Sequence, residues 1–215
     1  MAEISQTTDA LLVIDVQNDF CPGGTMEVDG GDEVVPIINR LGRLFDHVIV
    51  TQDWHPAGHS SFASTDDDRA AYETVEMHYG QQVLWPDHCI QGTDGAALHA
   101  DLDIPHAELL IRKGFRSHVD SYSAFFENDH KTPTGLRGYL SERGFKRLFV
   151  AGLAYDFCVR YSSEDAVATG FEAVVIKDAC RSIALPGTVE DAEASFDNLG
   201  IVRIEAADLE SSQAA

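Results

Sequence analysis

The sequence predicts a single-domain α/β protein, built on a doubly wound, mostly parallel six-stranded sheet with helices on both faces. Six short, nearly continuous apolar runs rich in Val, Ile and Leu are typical of strands that are covered on both faces. Segments with helix start and stop signals lie between them, and this alternation favours right-handed βαβ units. The 215 residues, 44% of them hydrophobic, can bury one core, so one domain over residues 1–215 is expected.

The predicted elements follow one another along the chain. The strands are ALLVIDV (10–16), HVIVTQ (47–52), ELLIRKG (108–114), RLFVAGLA (147–154), EAVVIKD (172–178) and IVRIEA (201–206). The helices begin at capping residues or prolines and end at or near glycines: Val34 to Leu44, Thr132-Pro133 to Gly144, Asp156 to Gly170, and Pro186 to Gly200. Residues 53–103 show no clear strand, and we expect a long, ordered loop region with a functional role there.

Composition argues against several classes of partner. The formal net charge is −21, so the surface repels nucleic acid and anionic lipid. The acidic residues are spread along the chain, which fits either an ordinary soluble acidic protein or adaptation to high salt. No segment approaches the roughly 18 apolar residues of a membrane span. No basic stretch precedes the first apolar run, so we predict a cytoplasmic protein without a signal peptide. The four cysteines form no CxxC pair, which argues against a disulfide framework or a zinc ribbon.

Polar side chains gather at the carboxyl ends of the predicted strands, where α/β sheets bind ligands. Cys158 follows a strand, a glycine and small residues, so its sulfur should lie at a helix N-terminus that favours the thiolate and offers N–H groups to an oxyanion. A structural role as a small hydrophobic residue is the alternative. We assign that structural role to Cys21, Cys89 and Cys180.

Two pairs of polar residues extend this cluster. Asp15 ends an apolar run, where a carboxylate needs a partner, and Lys113 in the third strand can provide one. Such a pair could take the thiol proton of Cys158 or form a buried ion pair without a chemical role. Asp53 and His55 are two residues apart, a spacing that suits metal binding, although a polar loop would also explain them.

Five motifs carry a resemblance to a known family. VIDVQNDFCPGG, TQDWHPAGHSSF, WPDHCIQGT, RKGFRSHVDSYSAFF and GLAYDFCV, in this order and spacing, resemble the nicotinamidase/pyrazinamidase branch of the isochorismatase-like cysteine hydrolases. The similarity runs from about Ala10 to Ile204. It implies the isochorismatase-like hydrolase fold, and it implies a catalytic triad of Asp15, Lys113 and Cys158.

The resemblance also implies the remaining site residues. It implies metal ligands at Asp53, His55 and His88, with His59 as a ligand in only some relatives. It implies aromatic pocket walls at Phe20, Trp85 and Tyr122. A cis peptide would join Leu153 to Ala154, and the N–H groups of Ala154 and Cys158 would form the oxyanion hole. Tyr155 stands where a smaller residue is more familiar, which leaves this part of the pocket lining open.

The function implied is hydrolysis of nicotinamide to nicotinate and ammonia in NAD salvage, with pyrazinamide as a second substrate. The cofactor would be one divalent metal ion, zinc by first choice, with iron or manganese as alternatives. A homo-oligomer is compatible with the sequence. The alternatives are another cysteine amidase of the superfamily, acting on a carbamoyl or ureido amide, and a non-catalytic module that binds a metal or a small ligand.

Overall fold

The computed structural model describes residues 3–211, which form a parallel sheet between two layers of helices. The strands are β1 (Asp9–Ile14), β2 (Val48–Asp53), β5 (Leu109–Lys113), β6 (Arg147–Leu153), β7 (Glu172–Arg181) and β8 (Val202–Ile204). Their order is β5-β2-β1-β6-β7-β8, and every pairing is parallel. The predicted fold class is therefore confirmed.

The order of the strands reverses between β1 and β6. From β1 the chain adds β2 and β5 on one side, and then β6, β7 and β8 on the other. Ligands in open α/β sheets bind at the carboxyl ends of the strands that flank such a switch point. Asp15 follows β1 and Cys158 lies beyond β6, so the switch point lies between them.

Helices cover both faces because side chains of each buried strand alternate between them. Leu11 and Val13 of β1 join the core under α1 (Val34–Gly42) and α5 (Ala206–Glu210). Leu12 and Ile14 join the core on the opposite face, under α2 (Leu136–Arg143), α3 (Arg160–Ala168) and α4 (Thr188–Leu199). Among the described residues, no helix combines the length and apolar character that crossing a bilayer requires. The cytoplasmic location stays a prediction.

Residues 53–103 differ from the sequence prediction in one respect. They contain an antiparallel hairpin, β3 (Thr74–Met77) and β4 (Gly80–Val83), so the expectation of no strand there was wrong. The hairpin is short and largely polar, as in TVEMHYGQQV, and therefore lacks the apolar run that marks a strand in the sequence. The short helix α5 was also not predicted, because five residues carry little periodic signal.

Candidate active site and metal centre

Asp15, Lys113 and Cys158 meet at the carboxyl edge of the sheet. Asp15 directly follows β1, Lys113 ends β5, and Cys158 lies in a π-helical turn, Tyr155–Val159, between β6 and α3. Lys113 Nζ lies 2.8 Å from Asp15 Oδ2 and 3.4 Å from Cys158 Sγ. All three residues are buried. The structure thus brings together the three residues of the predicted triad.

Close contact between β1 and β6 brings Asp15 near the turn that carries Cys158. Gly152 of β6 has φ +123°, and a Cβ there would lie 2.1 Å from the carbonyl oxygen of Ile14. Only glycine permits this approach and this backbone conformation. Thr51 then orients the carboxylate, because its hydroxyl donates to Asp15 Oδ1 over 2.6 Å and accepts the Asp15 N–H.

Burial is the largest influence on the pKa values of this cluster. It raises the pKa of the Cys158 thiol well above its ordinary value; the Lys113 ammonium opposes this shift, and Asp15 and Asp53 add to it. Burial likewise raises the pKa of Asp15 against the effect of Lys113. The expectation that the helix N-terminus favours the thiolate stays a prediction.

Asp53, His55 and His88 form a second cluster, and their donor atoms suit a divalent metal. One donor atom from each lies within 4.8 Å of the others. Asp53 Oδ2 is 3.5 Å from His55 Nε2 and 3.6 Å from His88 Nε2. Oxygen and imidazole nitrogen ligands in this number are those of zinc and of other first-row divalent ions.

Hydrogen bonds fix the tautomer of both histidines in the form that a metal requires. Nδ1 of His55 donates to the carbonyl oxygen of Gly114, and Nδ1 of His88 donates to that of Pro86, each over 2.8 Å. Each Nε2 therefore carries a lone pair that points into the cluster. The buried Nε2 of His55 has no hydrogen-bond partner among residues 3–211. These residues fit a metal ion.

Gly114 allows the contact that orients His55. Its φ is +65°, and a Cβ there would lie 2.4 Å from His55 Cε1. A side chain would thus displace the imidazole ring, and the left-handed backbone conformation also favours glycine.

Lys113 joins the two clusters, which sequence reasoning did not foresee. Its Nζ also lies 2.9 Å from Asp53 Oδ1 and donates to the carbonyl oxygen of Ser121. Burial alone would raise the pKa of Asp53, but the Lys113 ammonium holds it well below its ordinary value. The pKa of Lys113 is raised well above its ordinary value, because Asp15 and Asp53 outweigh the opposing effect of burial. One ammonium thus neutralises carboxylates of both clusters.

His59, which the resemblance implies as a metal ligand in only some relatives, uses both ring nitrogens within the protein. Its Nε2 donates to the carbonyl oxygen of Arg116 over 2.8 Å, and its Nδ1 contacts the hydroxyl of Ser61. Asp120 instead lies beside the cluster, with Oδ1 3.8 Å from His55 Nε2. No independent signal in the sequence pointed to Asp120, since it does not directly follow a predicted strand.

One pocket contacts both clusters. Its lining includes the predicted wall residues Phe20, Trp85 and Tyr122, the predicted oxyanion residues Ala154 and Cys158, and the metal-cluster residues Asp53 and His88. The peptide bond between Leu153 and Ala154 is cis, as the resemblance implies. Four further lining residues were not predicted: Met26, Asp120, Phe157 and Ile183.

Phe157 could have been found from its position next to Cys158, and it stacks edge-on against Trp85 with 4.9 Å between ring centroids. The sequence analysis left open whether Tyr155 contributes to the pocket lining. Its hydroxyl donates to Glu193 over 2.8 Å, and its ring packs on Phe196 of α4. Tyr155 thus faces α4 and is not among the residues that line the pocket.

Comparison with known proteins identifies the family of the chain. Residues 9–207 match the isochorismatase domain, so the chain belongs to the isochorismatase family. Within that family it is 49% identical over 195 residues to a nicotinamidase from Acinetobacter baylyi, covering 91% of each chain. A solved nicotinamidase/pyrazinamidase from Acinetobacter baumannii superposes with a TM-score of 0.93 at 52% identity, covering 94% of this chain and 98% of that one. A pyrazinamidase from Pyrococcus horikoshii, solved in complex with zinc, gives 0.74 at 31% identity, covering 92% and 98%.

Proposed function

We propose that the protein is a nicotinamidase, which hydrolyses nicotinamide to nicotinate and ammonia, and pyrazinamide to pyrazinoate, as a step in NAD salvage. One observation carries this proposal. A buried thiol, a carboxylate and an ammonium share a pocket with three aromatic walls and an Asp-His-His cluster, in a chain about half identical to a nicotinamidase. The thiol suits attack on an amide carbon, and the aromatic walls suit a flat ring.

Cys158 and Asp15 would carry out the acylation. Asp15 accepts the thiol proton as Cys158 Sγ attacks the carboxamide carbon, which becomes tetrahedral. The N–H groups of Ala154 and Cys158 would stabilise its negative oxygen. The carbon–nitrogen bond then breaks, and Asp15 returns the proton to the departing ammonia. A thioester of nicotinate on Cys158 remains.

The same carboxylate would serve the second half of the reaction. Asp15 accepts a proton from water as the water oxygen attacks the thioester carbon. The carbon–sulfur bond breaks, and the proton held by Asp15 returns to Cys158. The acid product loses the second proton of the water to solvent and leaves as nicotinate. Lys113, 2.8 Å from Asp15, keeps the carboxylate oriented, and its charge opposes the burial of negative charge at Asp15 and Cys158.

Asp53, His55 and His88 would hold the metal, and we propose zinc. Their one oxygen and two nitrogen donors suit it, and a family relative was solved in complex with zinc. When bound, the ion supplies a Lewis acid that can anchor the pyridine nitrogen of the substrate. Iron and manganese remain alternatives for this donor set.

Ammonia release from nicotinamide by the purified protein tests the proposal. The assay is run on protein stripped of metal and then reloaded with zinc, iron or manganese. We expect release from nicotinamide and pyrazinamide, and none from a ureido or carbamoyl amide. Hydrolysis of only the latter would indicate another cysteine amidase. Absence of hydrolysis, together with slow alkylation of Cys158 by iodoacetamide, would indicate a binding module.

A further inference from the structure

Gln82 is a buried polar residue on the hairpin that none of the steps above uses. It lies on β4, and the side chain of its neighbour Gln81 is exposed, as alternation along a strand requires. Only 1% of Gln82 is accessible to solvent. A buried amide must find hydrogen-bond partners, and these partners show what the residue does.

Two partners of Gln82 lie in the pocket wall, and two others, the Val83 carbonyl oxygen at 2.7 Å from Nε2 and the Tyr79 hydroxyl at 3.2 Å from Oε1, belong to the hairpin region. Gln82 Nε2 is 2.9 Å from Asp120 Oδ2 and 2.8 Å from the Tyr122 hydroxyl oxygen. Both Asp120 and Tyr122 line the pocket. Asp120 also approaches the metal-ligand cluster, with Oδ1 3.8 Å from His55 Nε2. One amide group therefore contacts both the aromatic wall and the carboxylate beside the metal cluster.

The direction of these hydrogen bonds is set by the backbone. The N–H of Tyr122 can only donate, and it donates to Asn128 Oδ1 over 2.9 Å. The amide nitrogen of Asn128 must then donate to Gln82 Oε1, also over 2.9 Å. This leaves Gln82 Nε2 as a donor, whose two N–H groups are shared among Asp120 Oδ2, the Tyr122 hydroxyl oxygen and the Val83 carbonyl oxygen. These hydrogen bonds form a closed cycle from the Tyr122 N–H through Asn128 and Gln82 to the Tyr122 hydroxyl. The cycle therefore fixes both the backbone and the hydroxyl of Tyr122.

We propose that Gln82 is a positioning residue for substrate binding, which holds Tyr122 and Asp120 in place in the pocket through its side-chain amide. This role rests on the proposed function, since the pocket must bind the aromatic amide. It also makes the β3–β4 hairpin a structural part of the site. No other part of the hairpin needs to contact the substrate.

Two substitutions remove the donor with little change in shape. Gln82→Met keeps the length of the side chain and loses every side-chain hydrogen bond of Gln82. Gln82→Glu keeps the acceptor for Asn128 and places a carboxylate against Asp120. The matched controls are Gln81→Met and Gln81→Glu, on the exposed face of the same strand. Each protein is measured with its metal bound.

We expect both Gln82 variants to raise KM for nicotinamide at least about fivefold, the scale of one hydrogen bond, while kcat stays within about threefold. Alkylation of Cys158 should proceed at the rate of the unsubstituted protein. Deuterium uptake in residues 119–124 should increase most in Gln82→Met, because Asn128, which accepts the Tyr122 N–H, then loses the acceptor that fixes its own side chain. The increase should be smaller in Gln82→Glu, which keeps that acceptor, and uptake in β1 and β6 should not change in either variant. The Gln81 variants should match the unsubstituted protein in every measurement.

An unchanged KM in either folded Gln82 variant would overturn the proposal. So would faster exchange spread over the whole sheet, which would show a loss of global stability only. Should the unsubstituted protein release no ammonia from nicotinamide, the proposed function fails. The exchange of residues 119–124 then still decides whether Gln82 positions Tyr122.

Discussion

The two sides of the pocket are built in different ways. Asp15, Lys113 and Asp53 stand at the ends of β1, β5 and β2, in register across one parallel sheet, with Asp53 directly paired with Lys113. His55 and His88 belong to residues 54–103, where the chain has little regular structure. The strand ladders position the first group, whereas the second depends on individual side chains that bind the backbone.

Three buried side chains from the sheet side hold the loop. Gln17 donates to the carbonyl oxygens of Asp53 and Ala96 and accepts the Asp53 N–H. Gln52 donates to the same Ala96 carbonyl oxygen over 2.7 Å. Asp19 accepts the N–H of Cys89, the residue after His88, over 2.7 Å. The positions of the catalytic residues therefore follow from the fold, whereas the positions of the metal ligands depend on particular polar residues.

The largest effect should come from the catalytic side. Cys158→Ala removes the nucleophile, and we expect kcat for nicotinamide to fall by about 10⁴-fold or more while the protein stays folded. The matched control is Cys180→Ala, another buried cysteine that lies outside the pocket lining. Ammonia release and circular dichroism measure the two quantities. Retention of a tenth of the activity in Cys158→Ala would refute the assignment of Cys158 as nucleophile.

The same contrast explains what the sequence could predict. Asp15, Lys113 and Cys158 follow apolar runs that read as buried strands, so elementary arguments bring them to one edge of the sheet. The site roles of His88 and of the pocket aromatics could be predicted only from the family resemblance, because no periodic sequence pattern determines the position of a loop residue. Neither the strand pattern nor the family resemblance predicted Asp120 or the hydrogen bonds of Gln82 with Asp120, Tyr122 and Asn128. These hydrogen bonds involve a short polar hairpin, which has no characteristic hydropathy pattern.

Loss of a metal ligand should impair the metal side of the pocket and leave the catalytic side unchanged. His88→Ala removes one of three donors, and we expect metal affinity to fall by about 10³-fold while iodoacetamide still alkylates Cys158 at the original rate. Metal content after dialysis measures the first quantity, and mass spectrometry of the alkylated peptide measures the second. His78→Ala, in the exposed turn of the hairpin, is the control. Equal loss of alkylation and metal would mean that the sides are not independent.

The selectivity for nicotinamide over benzamide should depend on the metal side of the pocket alone. Benzamide has the shape of nicotinamide and fits between the same aromatic walls, but it offers a metal no ring nitrogen. A site that binds a polar group rejects an analogue that lacks it, so we expect kcat/KM for benzamide to be lower by about 10²-fold or more. After removal of the metal with a chelator, the difference between the two amides should nearly vanish. Comparable rates for both amides in the metal-loaded enzyme would argue against anchoring of the ring nitrogen.

The smallest effect should come from a residue that touches neither metal nor substrate. The Asp19 carboxylate accepts the Cys89 N–H through Oδ2 and the Thr25 N–H through Oδ1. Cys89 has φ +46°, an uncommon conformation for a residue other than glycine, and its carbonyl oxygen accepts the His55 N–H. Asp19 therefore stabilises the backbone segment that connects the two histidine ligands.

Asp19→Asn keeps the shape of the side chain but replaces one acceptor oxygen with a donor, and Asp19→Ala removes both acceptors. We expect zinc loss to a chelator to accelerate by about tenfold in Asp19→Ala and by less in Asp19→Asn, as for other residues that support metal ligands. Asp29→Ala, an exposed carboxylate on the same loop, is the control. Alkylation of Cys158 should be unchanged, because the strand ends do not depend on Asp19. A folded Asp19→Ala protein that releases zinc at the original rate would show that the loop holds its ligands without this carboxylate.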